Sequence, residues 1–140
     1  MHLAADQPIR LEVVTPERVV FEERVEALIV PGVRGYIGIW PNHAPMVVAL
    51  GIGDMVYRRH GQVYHMAVAG GFFEVAGNRA VILSDAAERA EEIDISRAEA
   101  ALERARRRLA DPAGDWDLER ARAALDRALT RLKVARRRGA

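Results

Sequence analysis

The sequence predicts an N-terminal antiparallel β-sandwich or barrel followed by a C-terminal antiparallel two-helix hairpin. Residues 1–85 contain 9 of the 11 glycines, together with many valines and isoleucines in short runs between turn residues. After Asp85 glycine nearly disappears, and alanine rises to 15 of the 55 residues in 86–140. Apolar residues in 86–140 recur every three or four positions, as in an amphipathic helix. We therefore predict two domains, a sandwich over residues 1–85 and a hairpin over residues 86–140.

Short apolar segments with the composition of strands fill the first domain. Leu11-Glu12-Val13 shows the alternation of a half-buried strand, and turn signals such as Pro16-Glu17, Pro31-Gly32 and Gly77-Asn78 separate the segments. The predicted strands are residues 9–15, 19–21, 25–30, 36–39, 46–50, 55–59, 63–68, 72–75 and 80–83. Eight or nine short strands at this spacing are typical of a small sandwich or barrel.

The first helix of the second domain is predicted to begin near residue 95. Two N-caps are open, because Ser96 forms a capping box with Glu99 and Asp94 is an alternative cap. The loop Asp111-Pro112-Ala113-Gly114-Asp115 is expected to end this helix. Its apolar face consists of Ile95, Ala98, Leu102, Ala105 and Leu109.

The second helix has the same spacing on its apolar face. That face consists of Leu118, Ala121, Leu125, Ala128, Leu132 and Ala135. Small residues alternate with large ones on both helices, so the two can approach closely, and the short loop makes them antiparallel. Because alanine buries little apolar surface, the hairpin has a thin core and is expected to depend on docking to another surface. Such an element can adopt more than one arrangement.

Several functional classes are disfavoured by what the sequence lacks. Cysteine is absent, which excludes disulfides, thiolate metal sites and cysteine nucleophiles. The GxxxxGKS/T phosphate loop, the GxSxG nucleophile motif, a signal peptide and an apolar run of about 18 residues are all missing. A turn at Gly61 could bring His60 and His65 together, but no third ligand is evident beside them. We therefore predict no catalytic site, no metal site and no membrane insertion.

Arginine dominates the basic residues, since Lys133 is the only lysine among 21. One face of the first predicted helix carries Arg97, Arg104 and Arg108. One face of the second carries Arg120, Arg127 and Arg131 at the same spacing. Two such rows could converge on a polyphosphate. They could equally form a solvated face that is paired with Glu88, Glu92, Glu103 and Asp126. Nucleic acid is a third possibility, given the arginines at 106–108 and 136–138, but residues 86–140 also carry 11 acidic groups and no aromatic side chain alternates with the arginines.

A series of short motifs resembles the epsilon subunit of bacterial F-type ATP synthases over essentially the whole chain. One motif alone is unspecific, but all of them occur in the order and spacing of that family. They are Val14-Thr15-Pro16, Val25-Glu26, Gly38-Ile39, Pro41-Asn42-His43-Ala44-Pro45, Gly70-Gly71-Phe72, Glu74-Val75, Ala86-Ala87-Glu88-Arg89-Ala90-Glu91, Ile93-Asp94 and Arg97-Ala98.

The resemblance implies a non-catalytic subunit of the rotating central stalk. The sandwich would bind the gamma subunit and sit on the ring of c subunits, at the cytoplasmic face of the bacterial cell membrane. The two helices would fold onto the sandwich, or extend along gamma into the alpha/beta catalytic head and block ATP hydrolysis. A thin hairpin core suits an element with two arrangements.

Some members of the family bind ATP on the folded hairpin, through the pattern I-D-x-x-R-A and further charged residues. No obligatory cofactor is implied, and ATP would be a regulatory ligand. Carried onto this chain, the ATP-binding residues are Glu88, Arg89, Ile93, Asp94, Arg97, Ala98, Arg104, Arg127 and Arg131.

Two residues depart from the family pattern. Tyr36 stands where an acidic residue is common, and Trp40 stands where a smaller residue usually precedes the proline. Both fall in a region expected to face a partner.

The alternative from another functional class is a free-standing nucleotide-sensing or nucleic-acid-binding module with a basic helical hairpin.

Overall fold

The computed structural model describes residues 7–111, 113–114 and 117–138 of the 140-residue chain. In these residues, ten strands precede two helices. The strands are β1 (Ile9–Val14), β2 (Val19–Val25), β3 (Ala27–Gly32), β4 (Gly35–Ile39), β5 (Met46–Ala49), β6 (Ile52–Arg59), β7 (Gln62–Ala69), β8 (Phe72–Ala76), β9 (Arg79–Leu83) and β10 (Ala86–Arg89). A 3₁₀ helix (Ala90–Glu92) connects β10 to α1 (Ile95–Ala110), and α2 (Leu118–Ala135) follows.

The strands form two five-stranded sheets. The first has the order β2-β1-β9-β8-β5 and the second the order β10-β7-β6-β3-β4. Neighbouring strands are antiparallel except β1 and β9, which run parallel with Leu11 opposite Ala80. The predicted sandwich followed by a two-helix hairpin is confirmed, with this one parallel pair inside it. The parallel pair joins segments about 70 residues apart, which local sequence patterns do not reveal.

The core lies between the two sheets. In β1, Ile9, Leu11 and Val13 are fully buried while the residues between them are only partly buried, as the alternating pattern predicts. Phe73 of the first sheet and Met55 of the second are also fully buried. Burial of each such side chain stabilises the fold by roughly 1.5–3 kcal/mol, so the sandwich has a substantial core of its own.

Strand β10 was not among the predicted strands. Its residues pair with β7 in antiparallel register, with Ala86 opposite Ala69 and Arg89 opposite Met66. The segment Ala-Ala-Glu-Arg favours a helix by propensity, but the ladder to β7 and the burial of Ala87 hold it extended. The second sheet therefore includes four residues beyond the domain boundary predicted after Asp85.

Aspartates cap both helices. Asp94 Oδ1 accepts a hydrogen bond from the Arg97 N–H at 3.1 Å, so Asp94 is the N-cap of α1. The capping box proposed for Ser96 is wrong, because Ser96 lies inside the first turn of the helix. Asp117 caps α2 by accepting from two backbone N–H groups. The predicted interhelical loop lies partly outside the described residues.

The two helices pack through small side chains. Ala98, Leu102 and Ala105 of α1 are buried, as are Ala121 and Ala128 of α2. The contact between the two helices is shorter than predicted, because the first residue of each helix remains largely exposed. The exposed fractions are 42% for Ile95 and 44% for Leu118.

Helix α2 docks the hairpin on the sandwich by packing on β6, β7 and the 3₁₀ helix, whereas α1 packs chiefly on α2. The docking contact has a small apolar cluster of its own, separate from the sandwich core. It consists of Ala67, Ala90, Ile93, Val134 and Ala135. Three of its five members are alanines, so the contact buries little apolar surface.

Candidate functional site

A charged cleft of about 520 Å³ opens between the hairpin and the sandwich. Its walls come from α1, β10, the 3₁₀ helix, the turn between β1 and β2, and one residue of α2. They are Thr15, Glu17, Arg18, Ala86, Ala87, Glu88, Glu92, Asp94, Arg97, Ala98, Ala101, Arg104 and Arg131. Six of the nine residues predicted for ATP binding line this cleft, namely Glu88, Asp94, Arg97, Ala98, Arg104 and Arg131.

The other three predicted residues lie outside it. Ile93 is buried in the apolar docking cluster. The Arg89 Nε lies 3.3 Å from Glu92 Oε1, so its guanidinium is held beside the 3₁₀ helix. Arg127 lies one turn before Arg131 and lines a groove of about 600 Å³ between the hairpin helices. The helical spacing that groups Arg127 with Arg131 is correct, because both also line a small pocket against β7 and β10 that includes Glu88, although Arg127 does not line the charged cleft.

One ion pair joins α2 to β10 inside the cleft. The Arg131 Nε donates to Glu88 Oε1 at 2.6 Å, and each side chain is about one third exposed. Charge-assisted hydrogen bonds of this kind are short and directional. The pair fixes the Arg131 guanidinium at the point where the hairpin meets the second sheet.

A second ion pair joins the β1–β2 turn to the 3₁₀ helix. Arg18 Nη2 lies 2.8 Å from Glu92 Oε2, and the other carboxylate oxygen of Glu92 accepts from the Arg89 N–H at 3.0 Å. Partial burial acts to raise the pKa of Glu92. The hydrogen bonds from Arg89 and Arg18 outweigh this effect, and the pKa is lowered. Sequence reasoning missed Arg18, because 74 positions separate it from Glu92 and only the sandwich brings them together.

Four guanidinium and four carboxylate groups therefore line the cleft. The cations are Arg18, Arg97, Arg104 and Arg131, and the anions are Glu17, Glu88, Glu92 and Asp94. Small alanine side chains leave room between them. The formal charges of the lining cancel, and two of the arginines, Arg18 and Arg131, are paired with carboxylates.

The Arg138 side chain adds hydrogen bonds to the docking contact. Its Nη2 donates to the Ala90 carbonyl at 2.7 Å and to the Ile93 carbonyl at 2.8 Å, and its Nε also donates to the Ala90 carbonyl. These acceptors flank the turn from the 3₁₀ helix to α1. The turn that follows α2 is thus tied to the segment that leads into the first helix.

His65 lies against a carboxylate rather than in a histidine pair. Its Nδ1 is 3.0 Å from Asp54 Oδ1, and both side chains are largely buried. Among the described residues, no three His, Asp or Glu side chains are grouped in a way that could hold a metal ion. Over the same residues, neither helix is long and apolar enough to cross a membrane.

An apolar row crosses the outer face of the first sheet. Directly paired positions place Val19 beside Val14, Val14 beside Leu83, Leu83 beside Phe72, and Phe72 beside Ala49. Val19, Leu83 and Phe72 are 55–59% exposed, so this row is open to solvent in the isolated chain. Contiguous exposed apolar side chains on a soluble domain are typical of a protein-binding surface.

Comparison with known families matches both parts of the fold. Residues 8–90 match the family described as the β-sandwich domain of the ATP synthase delta/epsilon chain. Residues 91–136 match the long α-helix domain of the same chain. The chain belongs to this family. The resemblance to epsilon subunits that the sequence motifs indicated is confirmed.

Relatives named ATP synthase epsilon chain are similar over nearly the whole length. The one from Pelotomaculum thermopropionicum is 54% identical over 131 residues, covering 94% of this chain and 98% of the relative. The one from Desulforamulus reducens is 46% identical over 126 residues, covering 90% and 96%.

Solved structures show the same fold at lower identity. A chain in the OSCP/F1/c-ring structure of the Euglena gracilis mitochondrial ATP synthase aligns with a TM-score of 0.77 and 24% identity, over 92% of this chain and 81% of that one. A chain in the central stalk/c-ring structure of the Tetrahymena thermophila enzyme aligns with a TM-score of 0.56 and 13% identity, over 96% and 98%.

Proposed function

We propose that this chain is a non-catalytic central-stalk subunit of a proton-translocating F-type ATP synthase, at the cytoplasmic face of a bacterial membrane. Its sandwich would couple rotation between the c ring and the catalytic head. Its hairpin would regulate ATP hydrolysis. The observation that carries the regulatory part is the separate docking contact, in which a small cluster and two arginine side chains hold the hairpin against an independently packed sandwich.

The division between core and docking contact supports two arrangements of the hairpin. Undocking would expose the cluster around Ile93 and Val134 but would leave the sandwich core intact. An equilibrium of this kind needs an energy difference of only a few kcal/mol. In the extended arrangement the helices would reach the alpha/beta head and block hydrolysis.

The exposed faces of the sandwich supply surfaces for the gamma subunit and the c ring. The apolar row through Phe72 and Leu83 spans five strands and would be covered by a partner subunit. Tyr36 and Trp40 are also more than half exposed, in and after β4. These side chains would contribute to a partner contact that differs in detail from that of the wider family.

The cleft would bind ATP while the hairpin is docked. It brings arginines of α1 and α2 together with residues of the sandwich, and this combined lining exists only in the docked arrangement. Bound ATP would therefore favour docking and keep inhibition off. At a hundred times its dissociation constant a ligand stabilises the state it binds by roughly 2.7 kcal/mol, which is enough to decide a marginal equilibrium.

The test compares the full chain with a chain ending at Asp94, each assembled with the remaining synthase subunits. The expected result is equal assembly and ATP synthesis, with faster ATP hydrolysis in the complex that lacks the hairpin. Binding to gamma is measured in parallel. If the shortened chain assembles but hydrolysis is unchanged, the regulatory role is wrong. Recovery of nucleic acid rather than gamma with the full chain would support the free-standing module instead.

A further inference from the structure

Arg18 enters the charged cleft from the sandwich rather than from the hairpin. It ends the turn between β1 and β2, and that turn is closed by the Thr15 N–H, which donates to the Arg18 carbonyl at 3.0 Å. The Thr15 hydroxyl donates to the same carbonyl at 3.3 Å, and Thr15 is 8% exposed. The backbone of the turn is therefore fixed, and the guanidinium extends from it into the cleft beside Glu92.

The four arginines of the cleft thus come from three parts of the molecule. Arg18 belongs to the sandwich, Arg97 and Arg104 belong to α1, and Arg131 belongs to α2. A guanidinium binds phosphate oxygens through two donors at a time. A chain of phosphates has enough oxygens to engage several guanidinium groups at once, which a single carboxylate cannot do.

We propose that Arg18 is a phosphate-binding residue of this cleft, and that a polyphosphate held by Arg18 and the helix arginines ties the hairpin to the sandwich. This inference rests on the proposed binding of ATP. It adds a consequence that a site within the two helices alone would lack. A ligand bound only by α1 and α2 would hold the helices to each other, whereas a ligand that also engages Arg18 holds them down on the sandwich.

Glu92 is the group that the ligand has to replace. In the ligand-free chain its Oε2 holds Arg18 at 2.8 Å, while its Oε1 accepts from the Arg89 N–H. Removal of the Glu92 charge would leave Arg18 available and take one negative charge out of the cleft. Glutamine at position 92 keeps an oxygen that can still accept from the Arg89 N–H.

The two partners of this ion pair therefore give a matched pair of variants. Arg18→Gln and Glu92→Gln both break the same contact, so a purely structural role predicts the same effect for both. A phosphate-binding role predicts weaker binding for Arg18→Gln and no weakening for Glu92→Gln. Arg10→Gln is the control for loss of a surface arginine, because Arg10 pairs with Glu22 on the sandwich at similar exposure and does not line the cleft.

Calorimetry of the full chain with ATP, tripolyphosphate and adenosine provides the measurement. Arg18→Gln is expected to weaken ATP and tripolyphosphate binding about tenfold, the effect of losing one charged hydrogen-bond donor. It should leave adenosine binding unchanged. Glu92→Gln is expected to bind ATP as tightly as the unmodified chain or more tightly, and Arg10→Gln should bind like the unmodified chain.

The outcomes separate this inference from the proposed ATP site. If ATP binds and Arg104→Gln weakens binding while Arg18→Gln does not, the role of Arg18 is wrong and the ATP site stands. Equal weakening by Arg18→Gln and Glu92→Gln would also overturn it, because the pair would then be structural. If the unmodified chain binds neither ATP nor tripolyphosphate, both proposals fall.

Hydrogen exchange at saturating ATP tests whether the bound nucleotide holds the hairpin on the sandwich. In the unmodified chain, ATP should slow exchange in α2 and in β10, where the hairpin meets the sandwich. Arg18→Gln at equal occupancy should show less of this protection. Protection of equal size in both chains would mean that the nucleotide does not engage the sandwich through Arg18.

Discussion

The Arg131 guanidinium lies 2.6 Å from Glu88 Oε1, and this ion pair links the last third of α2 to the edge strand β10. The link lies between two contacts of different character. On one side is the charged cleft, and on the other is the apolar cluster around Val134. Arg131 therefore lies between the proposed ATP site and the docking contact of the hairpin, so its replacement should affect the two differently.

Replacement of Arg131 by glutamine should weaken ATP binding far more than it destabilises the fold. Both partners are about one third exposed, and ion pairs with that exposure contribute at most about 1 kcal/mol to stability. We expect a small change in unfolding free energy and about a tenfold loss of ATP affinity. Denaturant unfolding and calorimetry measure the two effects. An equal loss of ATP affinity in the Arg137→Gln control would show that only net charge matters.

Gly71 should not tolerate a larger side chain. Its φ of +102° is unfavourable for other residues, and an added Cβ would collide with the Leu83 carbonyl oxygen. Gly71→Val is expected to destabilise the sandwich by several kcal/mol or to prevent folding. Gly61→Val is the matched control, because Gly61 also has a positive φ but its Cβ would meet nothing within 4 Å. Similar losses in denaturant unfolding for both variants would mean that strain rather than the collision sets the cost.

The sequence predicted most of the fold because each local pattern agreed with its surroundings. The alternation in β1 and the alanine–leucine spacing of the helices required no knowledge of distant residues. Strand β10 was missed because its four residues favour a helix by themselves and are held extended by β7. Ile95 was expected in the contact between the two helices because its position fits the helical period, yet at the start of α1 it remains 42% exposed.

Helical spacing predicted part of the candidate site, and the family resemblance added Glu88 and Asp94. Arg97 and Arg104 share a face of α1, and both line the cleft. Arg127 fits the same spacing on α2 and lies with Arg131 against β7 and β10, yet only Arg131 lines the charged cleft, and helical spacing does not distinguish the two. Arg18 had no local signal, since its position in the cleft results from the path of β1 and β2.

The position of β10 predicts different behaviour for two shortened chains. A chain ending at Asp94 keeps β10 paired with β7, whereas a chain ending at Asp85 loses the strand and uncovers that edge. We expect the longer one to unfold cooperatively and the shorter one to be markedly less stable or to associate through the exposed edge. Thermal unfolding and light scattering compare them. Equal melting temperatures would show that β10 adds nothing to the sandwich.

Tyr57 should make the fold less stable at high pH. Burial raises the pKa of its hydroxyl from 10.0 to about 12, with the Glu91 charge adding to the effect. Above pH 10 the unfolded chain therefore loses this proton while the folded chain retains it, and stability falls as pH rises from 10 to 12. The loss approaches about 1.4 kcal/mol per pH unit. Tyr57→Phe lacks this contribution, so the two stability curves should diverge above pH 10. Curves that stay parallel would contradict the assignment.

Replacement of Arg138 by glutamine should favour undocking of the hairpin without affecting the sandwich. The Arg138 guanidinium donates to the carbonyls of Ala90 and Ile93, so it ties the turn that follows α2 to the segment before α1. The rest of the docking contact is mostly alanine, so these charged hydrogen bonds form a large share of it. We expect about a tenfold faster hydrogen exchange of the α2 amides that are protected by docking, with unchanged exchange in β1 and β8. Arg137→Gln removes the same charge at the adjacent exposed position and should exchange like the unmodified chain.

In the assembled synthase, the Arg138 variant should need more ATP to relieve inhibition of hydrolysis, because ATP would have to offset the weaker docking. Faster exchange with an unchanged ATP requirement would separate docking from regulation, and unchanged exchange would show that the apolar cluster alone holds the hairpin down.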